Sequence, residues 1–90
     1  MVQEGDYLAV FNSAHRVMKA ESVLKALGIP ILLIPAPRDL MTDCGLALRI
    51  APELKENITA VLAGEQLTPA FISRFINGRY VTDVEQTGDR

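Results

Sequence analysis

The residue best suited to chemistry in this chain is Cys44, its one cysteine, in the run Pro35-Ala36-Pro37-Arg38-Asp39-Leu40-Met41-Thr42-Asp43-Cys44-Gly45-Leu46-Ala47. Two apolar, strand-like stretches flank that run. They place the thiol on a connecting loop, where a reactant reaches it more easily than in a core. Only the thiolate is nucleophilic, and it needs access and positive neighbours. Arg38 is placed to supply the charge, and Gly45 lets the backbone approach closely. Asp43, next to the sulfur, works against the thiolate. The plainer alternative is an inert cysteine used as a small hydrophobe.

His15 is the only histidine and falls near the start of the first expected helix. A cysteine–histidine pair would suggest acyl transfer or proteolysis, but a histidine with no orienting partner reads more simply as a solvent-facing side chain. One cysteine and one histidine cannot assemble a multi-cysteine zinc site, so no metal and no cofactor are expected. A lone cysteine also cannot form an intramolecular disulfide, and a secreted cross-linked scaffold is not indicated.

The elements that must position the thiol can be read from hydrophobic period and punctuation. Tyr7–Phe11 is a compact apolar strand. Asn12 and Ser13 offer a helix N-cap for a helix over about Ala14–Leu27, with Val17, Ala20, Val23, Leu24 and Leu27 on its apolar face and Gly28 as the left-handed stop. Ile29–Ile34 is continuously apolar, as in a strand covered on both sides or central in a small sheet, with Pro30 at its beginning. Leu46–Ile50 alternates as a third strand. Pro52 opens a second helix, buried through Leu54, Ile58, Val61 and Leu62 and ending at Gly64.

After that, Thr68-Pro69 reads as the cap and first residue of a short helix with Phe71 and Phe75 on one side. Asn77-Gly78 is a turn signal, and Tyr80–Val84 is a last, edge-type strand. The order strand, helix, strand, strand, helix, short helix, strand implies an α+β fold. The expected arrangement is a split βαβ (ferredoxin-like) sandwich, with helices on one face of a mostly antiparallel sheet. In that topology the first two strands run the same way. The Cys44 loop then shares a sheet edge with Asn12, Ser13 and the free amides at the start of the first helix, which favour a thiolate. Residues 1–90 are expected to form a single domain with flexible ends at 1–5 and 86–90.

The stretch Tyr7–Ile50 resembles a family of small bacterial selenium/sulfur carrier-like proteins. The resemblance rests on Pro35-x-Pro37-Arg38, Cys44 six residues after the arginine, and Gly45-Leu46-Ala47 directly after it. It implies a carrier whose cysteine accepts sulfur or selenium as a persulfide or selenosulfide and passes it on. The implied partners are a donor protein, such as a cysteine desulfurase, and an acceptor whose identity stays open. Such a carrier needs an accessible nucleophile on a loop that enters partners' active sites, and no deep substrate pocket. It is a carrier more than an enzyme with its own turnover. Two other readings stay open: a small ligand-sensing or protein-interaction module without covalent chemistry, and a single-thiol redox sensor.

Composition narrows the partners. Ninety residues with 9 basic and 11 acidic side chains give a net charge of −2 and no basic stripe, so nucleic acid is not expected. The start is acidic and lacks a signal-peptide core, and the longest apolar run is too short to cross a bilayer. A cytoplasmic protein without membrane partners is expected. Yet 49% of the residues are hydrophobic and the mean hydropathy is +0.19, high for a domain this small. The excess points to self-association, most simply a two-fold dimer.

Overall fold

The computed structural model describes residues 2–40 and 44–82. Five strands, β1 (Tyr7–Val10), β2 (Leu32–Pro35), β3 (Leu46–Ile50), β4 (Phe71–Ile76) and β5 (Arg79–Thr82), form one sheet in the order β2-β3-β1-β4-β5. Every described pairing is antiparallel. Because β3 lies between them and opposes both, β1 and β2 run in the same direction. Two α-helices, α1 (Ala14–Ala26) and α2 (Lys55–Gly64), complete the α+β fold, α2 being preceded by a 3-10 turn at Pro52–Leu54.

Alternation along the strands gives the sheet two apolar faces. One carries Ala9, Leu48, Ile50 and Ile72, buried against Val17, Ala20 and Leu24 of α1 and Ile58 and Leu62 of α2. Both helices therefore cover the same face, as expected. The other face holds a smaller cluster of Leu8, Val10, Ile34 and Ala47, closed by Leu40 from the β2–β3 loop and flanked by Phe71 and Tyr80.

Ser13 caps α1, its hydroxyl accepting from the Arg16 amide at 3.2 Å. At the other end the Gly28 amide donates to the Lys25 carbonyl and the Ile29 amide to the Leu24 carbonyl, both at 3.0 Å, with Gly28 at φ +75. This is a Schellman stop. It corrects two expectations. Leu27, expected on the buried face, lies in the cap and is 59% exposed. Ile29, expected to open the second strand, is consumed by the cap, and Pro30 has no amide to give a ladder. The strand therefore begins at Leu32. It is also an edge strand rather than a central or doubly covered one, with Leu32 46% exposed.

The expected short helix at Phe71–Ile76 is instead β4. An i, i+4 pair such as Phe71 and Phe75 satisfies a period of two as well as one of 3.6. Asn77-Gly78 decides between them. With φ of +53 and +76 they form a two-residue hairpin turn of the I′ kind, which requires strands on both sides, and β5 pairs directly with β4. As a strand, this segment also satisfies the outer edge of β1. The last strand is observed as Arg79–Thr82; Val84, expected to end it, lies outside the described residues.

Candidate thiol site

Cys44 lies on the loop between β2 and β3, half-buried. The loop closes where the Ala36 amide donates to the Gly45 carbonyl at 2.9 Å, one step beyond the last paired residues, Pro35 and Leu46. Its first half turns at Pro37–Leu40, where the Leu40 amide donates to the Pro37 carbonyl at 3.0 Å. Leu40 then inserts into the cluster on the face opposite the helices, while the Cys44 side chain packs against the helix-side core. The loop thus contacts both faces at one end of the sheet.

The sulfur sits at the end of β1. Its thiol donates toward the Phe11 carbonyl at 3.5 Å and the Leu46 carbonyl at 3.4 Å. Asn12, exposed, and Ser13, half-buried, follow Phe11 directly. The thiol and the α1 cap therefore share one sheet edge. Among the described residues, however, the sulfur's hydrogen-bond partners are carbonyl oxygens rather than the free amides of α1 that the topology suggested. His15 is exposed on the first turn of α1 and makes no hydrogen bond with the sulfur, and the adjacent Arg16 guanidinium donates to the Gln66 carbonyl at 3.2 Å. Arg38 is exposed in the Pro37–Leu40 turn. Asp43 lies outside the described residues, as do Met41 and Thr42.

Gly45 has φ +73, and among the described residues no atom beyond its chain neighbours lies within 4 Å of a Cβ built there. Its role is therefore conformational: the left-handed backbone lets the chain enter β3 directly after the thiol. Gly45→Ala is expected to destabilise the fold by about 1–2 kcal/mol, the usual cost of that conformation for an L side chain. Urea unfolding measures it, and a loss under a few tenths of a kcal/mol would refute the conformational account.

Leu40 is a residue the sequence reading passed over. Its signal was one large aliphatic side chain inside a loop otherwise rich in proline and charge. Close to it, the Tyr80 phenol is pushed above its ordinary range, first by burial and then by the carboxylate of Asp39. Leu40 and Tyr80 thus border the same cluster on the face away from the helices. Tyr80 also packs on Phe75 with ring centroids 4.9 Å apart.

A hollow of about 330 Å³ lies at the opposite end of the sheet, lined by Pro30, Leu32, Arg49, Glu53 and Leu54 among others. Arg49 there pairs with the buried Asp6 at 3.3 Å. The hollow is remote from Cys44, which lies on a surface loop at the other end of the sheet. Among the described residues no group of three or more His, Cys, Asp or Glu side chains could hold a metal ion. Nor is any helix there long and apolar enough to cross a membrane.

Residues 6–74 match the sequence profile of the family described as "Putative Se/S carrier protein-like". The chain belongs to this family. The match spans the thiol loop together with β1, α1, β2, β3, α2 and most of β4. No curated protein and no solved structure matches the chain. Membership agrees with the resemblance read from the loop and extends it to the second half of the chain, where the hairpin β4–β5 begins.

Proposed function

We propose that this protein carries sulfur or selenium on Cys44 in the cytoplasm, taking it from a donor protein such as a cysteine desulfurase and passing it to an acceptor protein. The observation that supports this most is a coincidence of sequence and geometry. The region matched to the carrier family contains one thiol, and that thiol is half-exposed on a loop at the end of the sheet. Transfer between proteins requires such a placement, because both the donating and receiving sulfur atoms must reach it in turn. Arg38, exposed on the same loop, supplies positive charge toward a thiolate or an anionic persulfide. Gly45 and the Asn12–Ser13 cap shape the entrance.

The test is incubation with a cysteine desulfurase and cysteine, followed by intact-mass measurement. One added sulfur, removed again by dithiothreitol, is expected. A peroxide-sensitive thiol that takes up no sulfur would support the redox-sensor reading instead. The ligand-module reading has the hollow beside Arg49 and Glu53 in its favour, and a protein with neither thiol activity would return attention to it.

The protein is further proposed to act as a homodimer. A short helix over this segment would have set Phe71, Ile72, Phe75 and Ile76 together as a wide apolar face, but β4 divides Phe71 and Phe75 from Ile72 and Ile76. What remains in favour is β5, an edge strand whose Val81 is 53% exposed. An edge with open hydrogen-bonding groups invites pairing with another chain. Light scattering should give a dimer mass at high micromolar concentration, with Val81→Lys shifting it to the monomer; a monomer mass in the unaltered protein would end this proposal.

A further inference from the structure

The helix-side face of the sheet continues past the two helices onto the β4–β5 hairpin. Cross-strand neighbours share a face, so Tyr7 of β1, Arg74 of β4 and Val81 of β5 form one row across three strands. Ile76 and Arg79 form the next row on the same face. Arg74, Arg79 and Val81 are exposed. At the border with the helices, Lys55 opens α2 and places its ammonium 5.4 Å from the centre of the Tyr7 ring. The Arg74 guanidinium lies 5.1 Å from the same centre, and its Nε donates to the Gly5 carbonyl at 3.4 Å. Among the described residues, none of Lys55, Arg74 and Arg79 makes an ion pair.

Three cations thus gather on one face without a counter-charge, in a chain whose net charge is −2. Two of them share one aromatic ring. The ring attracts each cation but does not cancel their mutual repulsion, which a carboxylate entering beside it would do. We propose that this face of the β4–β5 hairpin binds an acidic segment of a partner protein. Its carboxylates meet Lys55, Arg74 and Arg79, and its apolar side chains cover Val81 and Ile76. The mixture of charge and hydrocarbon selects a protein over a nucleic acid. A phosphate backbone calls for a continuous basic track, whereas here apolar side chains separate the cations and the rest of the chain carries net negative charge. Tyr7 and the sulfur of Cys44 lie at opposite ends of β1. A segment held here therefore need not cover the thiol, and the proposal stands apart from whatever chemistry that thiol performs.

The test titrates the full chain, labelled with nitrogen-15, with three probes: a short peptide alternating glutamate and leucine, its lysine–leucine counterpart, and a single-stranded oligonucleotide. Only the glutamate peptide should shift the amides of Tyr7, Lys55, Arg74 and Arg79, and it should do so saturably. Raising the ionic strength from about 0.1 M to about 1 M, where the screening length falls from about 10 Å to about 3 Å, should weaken that binding. Charge reversal in the double variant Arg74→Glu/Arg79→Glu should weaken it about tenfold, as expected for the loss of two exposed ion pairs and their replacement by repulsion. Lys55→Gln, which leaves the sheet's own sequence untouched, should weaken it about two- to threefold, so the proposal stays testable if the double variant fails to fold. No saturable shift on this face, or equal binding of the lysine peptide, would overturn the proposal. So would preference for the oligonucleotide, or Lys55→Gln binding as tightly as the natural chain. Shifts at the same amides on concentrating the protein alone would assign the face to a second copy and overturn it too. No desulfurase enters any of these measurements, so their failure is distinct from a failure to carry sulfur.

Discussion

Cys44→Ser should abolish sulfur uptake completely while leaving the fold intact. No other residue of the chain is a cysteine, so there is no second thiol to take over. A serine hydroxyl is too weak a nucleophile toward sulfur at neutral pH to replace a thiolate. The hydroxyl still donates to the Phe11 and Leu46 carbonyls that the thiol faces, so the end of β1 loses no partner. Stability should change by no more than about 1 kcal/mol. Intact mass with a desulfurase and cysteine, alongside a thermal melt, reads both parts. A serine variant that still gains sulfur would remove Cys44 from the mechanism, and one that fails to fold would show the residue to be structural.

The second large effect concerns the helix-side core. Leu48 is fully buried on β3 and lies opposite Ala9 on one side and Leu33 on the other. Leu48→Ala removes side-chain volume from the packed centre and should cost about 2–5 kcal/mol. A domain of this size holds only about 5–15 kcal/mol in total, so much of the population could unfold at moderate temperature. Leu32→Ala, in the neighbouring edge strand where the side chain is 46% exposed, should cost less than about 1 kcal/mol. Urea unfolding of the two variants compares them directly. Equal losses would contradict the placement of β2 at the edge.

The parts of this fold that could be read in advance are those in which one local rule acts without competition. Ser13 has a cap to make and nothing else to do, and Asn77-Gly78 demands a backbone that few other residue pairs adopt. The placement of Cys44 between two strands followed from the apolar runs on either side of it. The errors arose where a local pattern was ambiguous and a distant partner settled it. Phe71 and Phe75 fit helix and strand equally, and the hairpin turn at Asn77-Gly78 together with the open edge of β1 decided for strand. Ile29 to Ile34 was apolar enough for a central strand, yet the Schellman stop at Gly28 used its first residue and left a short piece at the sheet's rim. At the site, the thiol's position was legible, but its partners were not. No side chain announces that a backbone carbonyl at Phe11 will face a sulfur on a different loop, and no charge pattern shows that Leu40 will anchor that loop to the far face.

The central position of β1 bears on how the protein is made. Each of the two hairpins, β2–β3 and β4–β5, joins segments close in the chain, but β1 pairs only with partners that come much later, Ala9 opposite Leu48 and Ile72. During synthesis β1 therefore leaves the ribosome well before either of its neighbours exists. Its fully buried residues, Leu8 and Ala9, have no sheet partner until β3 has emerged and lack the second until β4 follows. Non-local pairing of this kind slows folding and leaves apolar strand exposed in the interval. The first strand to be made waits longest for its partners.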